Sequence, residues 1–147
     1  MSDGFGQSES FYTQRGYVMR LFLSYLALAW LGIGGWLLLE PAALDAYAGV
    51  AATSVDGTIE LRAMYGGMEL AVGLSALWAL WRPRWACHVL FLNGVIAGGI
   101  GAGRLLGAVL AGSASVYTLS ALSFELSAVA LCWVFAKRLR SGDQSSG

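Results

Sequence analysis

Apolar positions along this chain fall in four long blocks, unlike the regular alternation of a soluble core. The first block runs from about Tyr17 to Leu39, and its Leu21–Leu39 stretch carries no charge. The second runs from about Glu60 to Trp81, the third from about Trp85 to Gly107, and the fourth from about Ser115 to Ala136. Each is close to the ~20 residues that a helix needs to cross a ~30 Å hydrocarbon layer. Helix is the expected conformation, because lipid offers no partner for backbone N–H and C=O groups and a helix satisfies them internally. The pattern predicts an all-α membrane protein, with four transmembrane helices in one antiparallel bundle.

The polar segments between the blocks set the connections. Arg82-Pro83-Arg84 is a short turn, which makes spans two and three antiparallel neighbours. The loop from Glu40 to Glu60 is longer. Pro41 is placed to open a short interfacial helix through Ala48, whereas Gly49 and the Ser/Asp/Gly run at 54–57 read as plain loop. Residues 1–16 and 141–147 are rich in Ser, Gly and Gln and read as flexible tails. Ala46-Tyr47-Ala48 resembles a signal-peptidase site, but the apolar stretch before it exceeds the 7–15 residues of a signal core, so an uncleaved first helix is expected.

Basic residues orient the bundle. Arg15 and Arg20 precede span one, Arg82 and Arg84 fill the middle turn, and Lys137, Arg138 and Arg140 follow span four. The Glu40–Glu60 loop holds Asp45 and Asp56 and no Lys or Arg. The positive-inside rule then puts both termini and the middle turn in the cytoplasm. Trp78, Trp81, Trp85 and Trp133 gather at the same boundary, as an aromatic belt does.

Composition agrees with that picture. Of 147 residues, 57% are hydrophobic and 12% charged, about half the charge of a soluble domain. Mean hydropathy is +0.63. Nine basic and nine acidic residues cancel, so no global field draws in nucleic acid, and no nucleic-acid motif is present. Cys87 and Cys132 fall near the predicted cytoplasmic side and read as reduced, small apolar residues. His88 is the sole histidine and reads as an interfacial anchor, so no metal site is expected. Nucleophile elbow, phosphate loop and dinucleotide fingerprint are all missing from the sequence, and no cofactor is expected.

The chemistry concentrates in two mid-span carboxylates. A charged group at that depth costs about 2.5–3.5 kcal/mol on insertion scales, so Glu69 and Glu125 need partners and a reason to be there. At 1.5 Å per residue, Glu69 lies roughly 13 Å in from Glu60 and Glu125 roughly 15 Å in from Ser115. Both distances start from the outer side, so the two sit at similar depth. Arg104 and Arg62 are the expected partners, since a guanidinium forks onto a carboxylate through two parallel hydrogen bonds. Helical spacing puts Arg62, Tyr65, Gly66, Glu69 and Gly73 on one face of span two, and Asn93, Ala97, Gly101 and Arg104 on one face of span three. Glu125 shares its face with Thr118, Ala121 and Ala128. The candidate binding or proton-path residues are therefore Glu69, Glu125, Arg104, Arg62, Tyr65 and Asn93.

Span three also carries Gly94/Gly98, Gly99/Gly103 and Gly103/Gly107 at small-x-x-x-small spacing. Such faces let helices approach closely. Packing within one chain is the favoured use. A homo-oligomer or a larger membrane complex is the other.

The run Leu61-Arg62-Ala63-Met64-Tyr65-Gly66-Gly67-Met68-Glu69, then Gly73, Gly103-Arg104-Leu105-Leu106-Gly107 and Glu125, resembles an uncharacterised family of small bacterial four-helix membrane proteins, catalogued as a domain of unknown function. The resemblance covers about residues 17–137. It implies a bacterial inner-membrane protein and no particular activity or cofactor. A fainter similarity reaches the DoxX-like group of four-helix proteins, some of which accompany quinone-linked redox enzymes.

Three uses of the carboxylates remain open on the sequence. One is an ion-pair network that fixes helix register. Another is a polar cavity, open to the outer side, that takes a lipid-like molecule, as in a non-enzymatic accessory subunit. The third is a proton-coupled transport path. A membrane enzyme or quinone-linked redox subunit ranks below these, because no nucleophile or cofactor motif accompanies the glutamates.

Overall fold

Leu-, Ala- and Val-rich blocks without partners outside themselves form helices here. A computed structural model describes the backbone of residues 4–143 and the side chains of residues 16–139. Helix α1 spans Gly4–Leu39 and a short α2 spans Ala43–Ala48. Helix α3 (Val55–Leu61) runs through a π-helical turn, Arg62–Gly67, into α4 (Met68–Trp81). A 3₁₀ turn at Pro83–Trp85 leads to α5 (Ala86–Ala111), and α6 spans Val116–Asp143. No strand occurs among the described residues. Four stretches are long and apolar enough to cross a membrane: Gly16–Leu39, Val55–Trp81, Pro83–Ala111 and Val116–Leu139. Their outward faces carry exposed Leu28, Leu74, Leu106, Val109 and Leu110, a surface suited to lipid.

Several boundaries differ from the sequence expectation. The run at 54–57 is a helix start: Ser54 accepts the Gly57 N–H at 3.0 Å, and Asp56 lies in the first turn, where the helix dipole favours a negative charge. The second span therefore begins at Val55. The third continues past Gly107 to Ala111, where Gly112 closes it in the left-handed region at φ 61°. Helix α1 extends back to Gly4, through most of the segment expected to be a flexible tail. At the other end α6 continues to Asp143, and residues 144–147 lie outside the described residues. Pro41 and Gly49 bracket α2 much as expected, with Gly49 (φ 66°) donating its N–H to Asp45 O at 3.0 Å.

The spans pack as two pairs. Helix α1 lies against the π turn and α4, and α5 lies against α6. Glycines permit the first contact. A Cβ at Gly66 would come within 2.7 Å of Leu38 Cα, and one at Gly34 within 2.7 Å of Leu70 N. In the second pair, Gly94 lies against Cys132 and Gly101 against Glu125, whereas Gly99, Gly103 and Gly107 meet nothing within 4 Å. The Gly-rich span thus uses only part of its glycines inside the chain.

The apolar core joins the pairs toward the Arg82–Arg84 end. Leu23, Leu26, Ala76, Ala86, Leu90 and Cys132 are buried there, and Phe22 stacks on Phe135 at 5.1 Å. Cys87 and Cys132 are free thiols, as expected of small apolar fillers. Exposed Trp78 and Trp85 rim this end, with Arg82 and Arg84 each 5.9 Å from a neighbouring indole. Toward the α2 end the pairs part, and the functional side chains collect there.

Candidate functional site

The π turn decides which way span two presents its polar residues. Its signature is the Met68 N–H reaching back to Ala63 O, five residues earlier. One extra residue in the turn rotates the residues before it by about 100° relative to those after it, compared with a continuous α-helix. The face expected to hold Arg62, Tyr65, Gly66, Glu69 and Gly73 together is consequently divided. Gly66 and Gly73 turn to α1, meeting Leu38 and Leu31, while Tyr65 and Glu69 line a cavity. Arg62 reaches neither glutamate. Its Nε donates to Leu38 O at 3.0 Å, in the last turn of α1, where carbonyls lack helical partners.

Arg104 and Glu125 form the ion pair. Arg104 Nε donates to both carboxylate oxygens, at 3.0 and 3.2 Å, and Nη2 donates to Oε1 at 2.8 Å. Glu125 is 4% exposed and the Arg104 side chain 24%. Gly101 makes the room: a Cβ there would sit 3.3 Å from Glu125 Oε2. The Tyr117 ring lies 5.6 Å from Arg104 Cζ and offers its π face to the guanidinium.

Glu69 is the other carboxylate, and its situation is the reverse. Its Oε2 is buried with no hydrogen-bond partner. Arg104, which lines the same cavity, is already forked onto Glu125. Asn93 stands apart from all of these and does not line the cavity. Its Nδ2 donates to Ser75 Oγ and to Val89 O, both at 3.1 Å, tying α5 to α4 within the packed part of the bundle.

The cavity holds about 940 Å³ between the two helix pairs. Trp30, Ile100 and Phe124 form the wall next to the core, with Trp30 and Phe124 in edge contact at 5.7 Å. Leu44, Tyr47 and Val50, from α2 and just after it, close the opposite end, and Tyr47 packs edge-on against Trp36 at 5.5 Å. Tyr65, Glu69, Arg104, Thr118 and Glu125 supply the polar lining, and most of the remainder is apolar. The volume is that of a pocket for a molecule well beyond the size of water. Among the described residues no three His, Cys, Asp or Glu side chains gather as a metal site requires, and His88 lies elsewhere, against Trp85.

The sequence left a cavity as one option among three, and it did not indicate the α2 cover or Tyr117. The signal for α2 was its Pro-to-Gly punctuation. Nothing in the spacing of apolar residues distinguishes a helix pair that closes from one that parts.

Fold and site together define a small helical protein with four helices long and apolar enough to cross a membrane, as in a multi-pass membrane protein, and a partly polar cavity at one end of its bundle. Residues 18–136 match the family described as domain of unknown function DUF4345, and the chain belongs to that family. The DoxX-like similarity finds no support in these comparisons. No curated protein and no solved structure matches the chain.

Proposed function

We propose that this is a non-enzymatic protein of the bacterial inner membrane that binds a lipid-like amphiphile, alone or as an accessory subunit of a larger membrane complex. The observation that carries this reading is the cavity: mostly apolar walls, three charged groups among its lining, and a volume of about 940 Å³. Such a space suits a molecule with one polar end and an apolar body. In the proposed arrangement the bundle is antiparallel, both termini and the Arg82–Arg84 turn are cytoplasmic, and the cavity opens toward the outer leaflet. The order of contacts agrees, since Leu38 and Leu31 in α1 meet Gly66 and Gly73 in span two, respectively. The basic and Trp-rich end opposite α2 agrees as well.

A second reading, a small proton-coupled transporter, is favoured by one feature, the buried Glu69 oxygen without a partner beside open space. Catalysis with the two glutamates as acid and base fits less well. Glu125 is held by three hydrogen bonds from Arg104, which leaves it poorly placed to exchange a proton with a substrate.

Native mass spectrometry of the full chain, extracted gently with its own lipid, tests the binding reading. The wild type should carry an amphiphile of defined mass, and Ala121→Trp, which fills the cavity from α6, should release it without unfolding the protein. A wild type that emerges bare in several mild detergents, with the same melting behaviour as Ala121→Trp, counts against a binding role.

A further inference from the structure

The cavity's charges do not balance. Glu69 and Glu125 contribute two carboxylates and Arg104 one guanidinium. The Arg104–Glu125 fork uses three hydrogen bonds and cancels one charge of each sign. What remains is Glu69, whose Oε2 is buried and unpartnered and whose helix faces the space between the pairs. Among the described residues no other cation lines the cavity. Arg62 is engaged with the Leu38 carbonyl, and the other described basic side chains flank the Arg82–Arg84 end or lie at the start of span one.

The surroundings favour a positive occupant. Part of the Glu40–Glu60 segment, through Leu44, Tyr47 and Val50, covers the cavity, and the segment carries exposed Glu40, Asp45, Asp56 and Glu60 and no Lys or Arg. Such a rim raises the local concentration of cations. Inside, Trp36, Tyr47, Tyr65 and Tyr117 line the wall and present rings that attract a cation once water is excluded. An anionic head would meet the unmatched Glu69 carboxylate and the acidic rim instead.

We infer that the molecule held in this cavity is a cationic amphiphile, a single positively charged amine on an apolar body, with its nitrogen on the Glu69 carboxylate. This rests on the amphiphile-binding reading and narrows it to a charge class. The ammonium pairs with the Glu69 carboxylate, brings the cavity to charge neutrality and leaves the Arg104–Glu125 pair intact. A hydrogen bond between two ions is also roughly twice as strong as a neutral one.

The test compares three probes of equal chain length on the full-length protein in a neutral maltoside detergent: dodecylamine, dodecanol and dodecyl phosphate. Binding is read by native mass spectrometry and checked by isothermal titration. Dodecylamine should bind about tenfold more tightly than dodecanol, the difference a single charge-assisted hydrogen bond supplies. Dodecyl phosphate should bind least. Glu69→Gln should abolish the preference for the amine while keeping the alcohol, which also shows that the cavity has survived the substitution. The wild-type ranking stands as a test even if that variant fails to fold. Equal binding of amine and alcohol, or preference for the phosphate, overturns the cationic assignment and leaves an amphiphile cavity of another charge class. Failure of all three probes to bind overturns the amphiphile reading itself.

Discussion

At the Arg82–Arg84 end, small side chains such as Ala76, Ala79, Ala86 and Ala128 let the helices meet, and Leu23, Leu26 and Leu90 fill what remains. At the α2 end, Trp30, Trp36, Tyr117 and Phe124 line a cavity that takes the place of a core. Among the described residues, each region buries one polar atom that lacks a partner, Asn93 Oδ1 in the packed end and Glu69 Oε2 in the open one. The two differ in what surrounds them. Asn93 is neutral, 1% exposed and held by its own Nδ2 bonds to Ser75 and Val89. Glu69 has open space beside it and no internal hydrogen bond to satisfy its buried oxygen. An enclosed neutral amide is a tolerable cost of tying helices together. A lone carboxylate beside a cavity is available to a ligand or a proton in a way that an enclosed amide is not.

That contrast can be broken by substitution. The largest effect is expected at Glu125, because its loss strands Arg104: Glu125→Leu should destabilise by about 3 kcal/mol in a thermal-melt assay. Replacing both partners, as in Arg104→Met with Glu125→Leu, should recover most of that loss. Next comes the close contact of span two with α1. Gly66→Ala forces a Cβ against the Leu38 backbone and should cost about 2 kcal/mol in the same assay. Glu69→Gln should move stability the other way, raising it by about 1 kcal/mol when the cavity is empty, since a neutral amide replaces an uncompensated carboxylate. A loss at Glu69 comparable to that at Glu125 would mean the two carboxylates share one network. Asn93→Leu should change stability by only about 0.6 kcal/mol, the typical worth of an interhelical side-chain bond in a membrane. Smallest of all, Gly103→Ala should lie within about 0.5 kcal/mol, because its face meets nothing within 4 Å. If Gly103→Ala instead lowers the apparent mass in analytical ultracentrifugation, that glycine face belongs to a seam with another chain.

The hydrophobic blocks made the helices legible, because a backbone in an apolar setting has few conformations that satisfy its own polar groups. Both mid-span carboxylates, and the pairing of one with Arg104, were likewise readable from position and charge alone. The other expected pairing was not. Arg62 bonds the end of α1, because the π turn shifts its phase relative to Glu69, and the run Arg62–Gly67 carries no sequence mark of such a turn. Ser54 was legible in principle, since a serine three residues before a free N–H is a helix cap, yet Asp56 and Gly57 beside it also read as a loop. Asn93 shares a helical face with Arg104, but the two lie far enough apart along α5 to serve different regions.

By itself the sequence determined how many membrane-length helices there are, roughly where they stop, and which residues carry charge into an apolar setting. These depend on spacing along one chain, and transfer energies decide them locally. Only the tertiary structure decided which carboxylate is matched. That choice turns on one extra residue in the π turn, on the gap that Gly101 leaves for Glu125, and on the cavity between the two helix pairs. Each is an arrangement between segments distant in sequence, and no periodicity within a segment encodes it.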